Sequence, residues 1–151
     1  MRNFQKAILT FVSTGFLIGS SCVLAQETPV AAPAGVKLVE AKDVIEMQKQ
    51  GAILVDTRKA NEFSEATIKG AISVPYDPEK SAKDANFDSA QDKFDLVKLA
   101  DKNANLILFC NSGTCWKSYK AAVVLAKSGY KNVNWYRNGF PDWKARKLPI
   151  D

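Results

Sequence analysis

The stretch from residue 106 to residue 118 decides the fold, and it reads Leu106-Ile107-Leu108-Phe109-Cys110-Asn111-Ser112-Gly113-Thr114-Cys115-Trp116-Lys117-Ser118. Its first four residues form a continuous apolar run, which is typical of a strand buried on both faces of a parallel sheet. A loop of small and polar residues follows, and a helix is then predicted over Ser118–Ser128, ended by Gly129. The strand therefore brings Cys110 to its carboxyl end, which is where ligands bind in open α/β sheets.

Short apolar runs alternate with helical patterns along the rest of the chain. The predicted strands are Val36–Val39, Ile53–Val55, Ala71–Val74, Leu106–Phe109 and Val133–Tyr136. A predicted helix from Ala41 to Gln50 joins the first two strands, and Gly51 can end it at the C′ position. The sequence thus predicts an α/β fold built on a mostly parallel sheet.

The chain has 151 residues, the size of one domain. Two basic residues precede a charge-free stretch from Ala7 to Ala25, which favours an export signal cut before Gln26. A membrane anchor is less favoured because serine, threonine and glycine residues make the stretch less apolar. A lipoprotein is less favoured because the residues before Cys22 do not match a lipidation signal. We expect a signal peptide over residues 1–25, a flexible lead-in over 26–35 and one domain over 36–151. The mature protein would then lie in an oxidising compartment such as the bacterial periplasm, without a membrane span.

The composition excludes several classes of function. The sequence has no histidine, so Ser–His and Cys–His catalytic pairs and the commonest metal ligand are absent. Its three cysteines cannot build a disulfide framework or a zinc site with four thiolates, so we expect no metal. The net charge of +5 is spread along the chain without a basic run, so we expect no nucleic-acid partner.

Cys110 is the predicted nucleophile. The loop that would bind an anion through its backbone comprises Asn111, Ser112, Gly113, Thr114, Cys115 and Trp116. Such a loop can turn several N–H groups toward one point, and the helix that follows adds partial positive charge. Both favour a thiolate and would lower the cysteine pKa from about 8.5 toward neutrality without a histidine. The alternative is a small apolar residue at a strand end, and position alone does not decide between the two.

Three groups of residues resemble the family of rhodanese-like sulfurtransferases. The loop from Cys110 to Cys115, between an apolar strand and a helix, is similar to that family's active-site loop. Upstream, the similar residues are Asp56-Thr57-Arg58, Glu62-Phe63, Ile68, Gly70-Ala71 and Val74-Pro75. Downstream, they are Gly129-Tyr130, Val133, Gly139, Trp143 and Leu148-Pro149. The resemblance implies a single rhodanese-like α/β domain with five mostly parallel strands and helices on both faces.

The resemblance also implies an enzyme that needs no metal or organic cofactor. Cys110 would attack the outer sulfur of thiosulfate or a related donor, and sulfite would leave. The Cys110 persulfide would then pass its sulfur to cyanide or to a thiol. Loop amides can stabilise first the thiolate and then the persulfide anion. We therefore expect a small sulfur-containing substrate.

The sequence departs from the family at the sixth loop position. Cys115 stands where many members have Arg or Lys, so an anionic donor needs another cation, and Lys117 is the nearest candidate. Asp56 and Arg58 are further candidates for substrate contact. A structural ion-pair network with Glu62 is favoured for them, because ion pairs that only brace a fold are common.

Two other functions stay open. A thiol–disulfide redox protein or sensor would use Cys110 and Cys115, and Cys115 can resolve a Cys110 persulfide if their Cα atoms lie within about 7 Å. A non-catalytic binding module would dock a periplasmic protein through the polar segment Tyr76–Asp95, predicted as a long surface excursion. A cysteine phosphatase is disfavoured because Cys115 and Trp116 stand where an arginine would hold the phosphate. Trp116 is expected to pack against the sheet or to wall the pocket.

Overall fold

The computed structural model describes residues 26–151, and the predicted signal peptide over residues 1–25 lies outside the described residues. Its strands are β1 (Val36–Leu38), β2 (Ile53–Asp56), β3 (Ile72–Ser73), β4 (Asn105–Phe109) and β5 (Asn132–Tyr136). Its α-helices are α1 (Ala41–Lys49), α2 (Ala60–Glu65), α3 (Trp116–Lys127) and α4 (Gly139–Ala145). The strands form one sheet in the order β1-β5-β4-β2-β3, and every neighbouring pair is parallel. The predicted α/β class is confirmed.

Strand β4 lies at the centre of this sheet and is buried on both faces, as its apolar run predicts. Leu106 and Leu108 pack into one core cluster, and Ile107 and Phe109 pack into the other. The helix residues that cover these two faces are Ala121, Ala122 and Leu125 of α3, Val44 of α1, and Phe140 and Trp143 of α4. Helices therefore lie on both faces, and the carboxyl end of β4 opens between them.

The predicted strands and the two longer helices agree with the observed elements to within two residues at each end. Gly51 and Gly129 follow α1 and α3 with positive φ angles of 87° and 85°, which is the left-handed conformation that ends a helix. The sequence did not predict α2 or α4. Helix α2 has six residues and buries none of them, while Pro141 in the first turn of α4 resembles a helix break. The predicted helical turn near residues 96–100 is a 3₁₀ helix, Leu96–Leu99.

The segment from Tyr76 to Asp95 is mostly exposed, as the predicted surface excursion requires, but a few of its polar side chains are buried. The Asp92 side chain is 1% exposed and accepts hydrogen bonds from the Tyr76 hydroxyl (2.8 Å) and the Ser81 amide (2.7 Å). Lys120 of α3 is fully buried and donates to the Ser81 hydroxyl at 2.9 Å. These four side chains, which we call the Asp92 cluster, tie the segment to α3. Polar residues predicted as solvated are buried here because they satisfy one another.

The Asp92 cluster makes the stability of the fold depend on pH in the acid range. Burial raises the pKa of the Asp92 carboxyl, but hydrogen bonds from Ser81 and Tyr76 outweigh this and hold the pKa below its ordinary value. The carboxylate therefore stabilises the fold above the unfolded pKa of about 4. This contribution is lost as the pH falls through the lower folded pKa.

We expect Asp92→Asn to lower the free energy of unfolding by about 2 kcal/mol at neutral pH, because an amide replaces the charged acceptor of the Ser81 and Tyr76 hydrogen bonds. Lys120 keeps its closer ion pair with Glu79, at 2.9 Å. The difference from wild type should shrink as the pH falls below about 4, because the contribution of the charged Asp92 is lost between the unfolded pKa and the lower folded pKa. Urea unfolding at neutral and acid pH measures this, and Glu65→Gln on the exposed side of α2 is the control. A difference that stays constant between neutral and acid pH would contradict the assignment.

Candidate active site

Cys110 directly follows β4 and is 2% exposed. Its carbonyl accepts a hydrogen bond from the Phe140 amide at 2.8 Å, in the first turn of α4. The preceding carbonyl, of Phe109, accepts from the Thr57 amide at 3.1 Å and from the Thr57 hydroxyl at 2.8 Å. The ends of β2 and β4 and the start of α4 therefore fix the position of this cysteine, at the sheet edge that the sequence predicts.

Cys110 and Cys115 form a disulfide, with their Cα atoms 6.1 Å apart. This separation is below the limit of about 7 Å within which Cys115 can resolve a persulfide on Cys110. Cys115 is the residue just before α3 and is partly exposed. The structure thus describes the oxidised form of the site, and a thiolate at Cys110 requires that the disulfide first be reduced.

Backbone amides line the loop that the disulfide closes. The Cys115 amide donates to the Ser112 carbonyl at 3.0 Å, and the Thr114 amide donates to the Ser112 hydroxyl at 3.3 Å. Within residues 26–151, no acceptor is found for three backbone N–H groups of the loop, those of Asn111, Ser112 and Gly113. These three N–H groups belong to the loop that begins at Cys110, and the protein supplies them with no acceptor among the described residues. No group of three or more cysteine, aspartate or glutamate side chains within the same residues could hold a metal ion.

The Glu62 side chain is hydrogen-bonded to the loop. Its carboxylate accepts a hydrogen bond from the Asn111 side-chain amide at 2.7 Å, which joins α2 to the loop. Burial raises the pKa of Glu62, but hydrogen bonds from Asn111 and from the Lys59 amide bring it below its ordinary value. The charge of Arg58 also lowers the pKa of Glu62. Glu62 therefore interacts with the predicted network through this charge, while its hydrogen bonds come from Asn111 and Lys59. Lys117, the predicted cation, is partly buried and lies 3.8 Å from the Asp77 carboxylate.

Asp56 and Arg58 form a buried ion pair with a 2.6 Å contact between Nη2 and Oδ2. The Thr67 hydroxyl also donates to Asp56, and Arg58 lies over the Phe140 ring at 4.2 Å from its centroid. Arg58 donates in addition to the Ala66 carbonyl at the end of α2. Both side chains are enclosed by these contacts, which supports the structural role that the sequence favours for them.

The residues before β1 cover the loop. Thr28 is 3% exposed, and both its amide and its hydroxyl donate to the Gly113 carbonyl at 2.7 Å. The Trp116 indole donates to the Gln26 carbonyl at 2.8 Å. The predicted flexible lead-in, residues 26–35, contains no helix or strand in the described structure. Gln26 and Thr28 nevertheless attach it to the site through these hydrogen bonds.

Arg137 is the site residue that sequence reasoning missed. Its guanidinium donates to the Thr28 hydroxyl and carbonyl at 3.2 and 3.1 Å and pairs with Glu27 at 3.2 Å. It also lies against Gly113, where a β-carbon would come within 2.6 Å of the guanidinium carbon. Arg137 directly follows β5, beside the end of β4, so its strand-end position is the signal that identifies it.

Trp116 packs rather than lining an open pocket. Its ring lies 5.3 Å from Tyr119, which in turn lies 5.4 Å from Trp135, and both pairs meet edge to face. All three are buried. Such pairs stabilise a core in their own right, and here they anchor the start of α3 next to Cys115.

Residues 40–146 match the family model of the rhodanese-like domain. A thiosulfate sulfurtransferase of Haemophilus influenzae, GlpE, is 34% identical over 106 residues, which cover 70% of this chain and 86% of that protein. The thiosulfate:glutathione sulfurtransferase of Saccharomyces cerevisiae is 30% identical over 107 residues, covering 68% and 71%. A rhodanese-related protein from Thermoplasma volcanium shares the fold, with a TM-score of 0.55 at 20% identity over 76% of this chain and 97% of that chain.

The chain therefore belongs to the family of rhodanese-like domains, as its sequence predicts. Within that family it is a sulfurtransferase-like enzyme. The loop from Cys110 to Cys115 is its candidate active site.

Proposed function

We propose that the chain is a thiosulfate sulfurtransferase that carries the transferred sulfur as a persulfide on Cys110. The observation that carries this proposal is the position of Cys110, at the end of the central strand and beside three amides that meet no acceptor among residues 26–151. The relatives named for thiosulfate support the choice of donor. A persulfide is an anion near neutral pH, and fixed N–H groups stabilise such a charge without reorganising.

The reaction begins with the reduced loop. The Cys110 thiolate attacks the outer sulfur of thiosulfate, a bond forms between these two sulfurs, and the bond inside thiosulfate breaks. Sulfite leaves with the electron pair of the broken bond. Cyanide or an external thiolate then attacks the outer sulfur of the persulfide, which regenerates the Cys110 thiolate. Thiocyanate or an acceptor persulfide is the product.

Lys117 is the cation that we assign to the anionic donor. It is the second residue of α3 and lies close enough to Glu62 to lower the pKa of that carboxyl. Its ion pair with Asp77 is long, at 3.8 Å, and is easily exchanged for a stronger partner. Arg137 is also near the loop, but its guanidinium is engaged by residues 27–29.

Activity should appear only after the disulfide is reduced. Protein treated with a dithiol and then freed of it is expected to convert thiosulfate and cyanide to thiocyanate, because Cys110 is then a free nucleophile. Oxidised protein is the matched control and should be inactive until it is reduced, since the Cys110 sulfur is bonded to that of Cys115 and forms no thiolate. Equal thiocyanate formation by the two forms would reject Cys110 as the sulfur carrier.

The proposal includes export to the periplasm. Its support is the charge-free stretch of residues 7–25 and the pairing of the two remaining cysteines, which persists best in an oxidising compartment. Within the described residues, no helix is both long and apolar enough to cross a membrane. The amino-terminal residue of the mature protein tests this part, and Gln26 is the expected result.

A further inference from the structure

The second loop cysteine is already placed to react with a sulfur carried by the first. The Cα atoms of Cys110 and Cys115 are 6.1 Å apart, inside the usual range for disulfide-bonded cysteines, and the two sulfurs are bonded in this structure. Cys115 precedes a helix of twelve residues, α3, whose amino-terminal end favours a negatively charged sulfur. The proposed transfer to an external acceptor does not require this second thiol.

We infer that Cys115 is an internal acceptor, so that the chain also reduces thiosulfate to sulfite and hydrosulfide. This inference rests on the proposed function, because it starts from the Cys110 persulfide. The Cys115 thiolate attacks the Cys110 Sγ, the Sγ–Sγ bond of the disulfide forms, and the bond to the outer sulfur breaks. The outer sulfur leaves as hydrosulfide with the electron pair. The two thiols are oxidised to one disulfide, and the sulfane sulfur takes up their two electrons.

The burial of Cys110 favours the internal acceptor over a bulky external thiol. Cys110 is 2% exposed, whereas the Cys115 sulfur lies within bonding reach of it. Groups held together in this way react as if at a very high local concentration. A small external acceptor such as cyanide would compete best, because it attacks the outer sulfur of the persulfide rather than the enclosed Cys110 Sγ.

The product of this step is the disulfide that the structure contains. A further turnover requires a dithiol reductant, either a dithiol protein or a small dithiol, which would give two electrons and two protons to the Cys110–Cys115 disulfide. Cys115 is the more exposed of the two cysteines, so we expect the reductant to attack its sulfur. In a first turnover without reductant, the reaction should therefore stop after one hydrosulfide per protein.

A single-turnover experiment tests the inference on the full chain. Wild type and Cys115→Ser are reduced, freed of reductant under nitrogen, and mixed with excess thiosulfate without cyanide. Sulfite, hydrosulfide and free thiols are then counted. We expect one hydrosulfide for each sulfite from wild type, together with the loss of two thiols. For Cys115→Ser we expect at least a tenfold lower ratio of hydrosulfide to sulfite, because the thiol that releases the sulfur from Cys110 is gone. This ratio does not depend on the rate of the first step.

Each remaining outcome separates the inference from the proposed function. Sulfite without hydrosulfide from wild type overturns the inference and leaves the persulfide on Cys110 intact. An equal ratio in the two proteins also overturns it, since Cys115 would then not be the acceptor. No sulfite from either protein overturns the proposed function, and the inference with it. Dithiol added at the end releases any retained sulfur as hydrosulfide, which closes the sulfur balance in every case.

Discussion

Cys110→Ser is expected to bring thiocyanate formation from thiosulfate and cyanide down to the background rate, a loss of about a thousandfold or more. A serine hydroxyl is a weak nucleophile unless a base removes its proton, and the sequence has no histidine to do so. The loop amides stabilise an anion that already exists, but they accept no proton. The assay compares reduced wild type with the variant at equal concentration.

The variant also removes the disulfide, so stability must be compared in the reduced state. Equal urea midpoints for reduced wild type and Cys110→Ser would show that the loss is chemical, since the serine side chain is close to cysteine in size. Thiocyanate formation at more than a few per cent of the wild-type rate would mean that another group carries the sulfur.

Gly139→Ala is expected to have the largest effect on stability, lowering the free energy of unfolding by about 3 kcal/mol or more. Gly139 has a φ of 67°, which costs about 1–2 kcal/mol for a residue with a β-carbon. That β-carbon would also overlap the carbonyl group of Cys110, which is backbone and cannot rotate away. Either the loop or α4 must move, so sulfur transfer should fall together with stability.

Gly51→Ala separates the two contributions. Gly51 also has a positive φ, 87°, but its β-carbon would meet no heavy atom within 4 Å. We therefore expect a loss of only about 1 kcal/mol from backbone strain and no change in sulfur transfer. Urea unfolding and the thiocyanate assay are run on both variants. Equal losses of stability would show that the contact between Gly139 and the Cys110 carbonyl does not matter.

The sequence alone predicted the parts of the fold that local patterns encode. The apolar run before Cys110 identified the central strand, and Gly51 and Gly129 marked the ends of α1 and α3. The position of Cys110 at the end of β4 followed from these elements together. Each of these inferences rests on neighbours in the chain, which is why one sequence was enough.

The rest depends on contacts between distant residues. Thr28 and Gly113 are 85 residues apart, and nothing near Thr28 in the sequence indicates that it docks on the loop. The burial of Asp92 likewise depends on Lys120, which arrives from another element. The oxidation state of Cys110 is set by the surroundings of the protein as well as by its sequence. Polarity and spacing predict none of these three features.

The central claim is that the outer sulfur of thiosulfate becomes bonded to Cys110, and labelled thiosulfate tests it most directly. Reduced Cys115→Ser is mixed with thiosulfate that carries an isotope in its outer sulfur, alkylated, and cut with trypsin. Residues 103–117 form one tryptic peptide, in which Cys110 is then the single cysteine. The account predicts the label in this peptide, attached through Cys110 and removed by a dithiol. Label on any other peptide, or none while the Cys110 thiol alkylates freely, would contradict it.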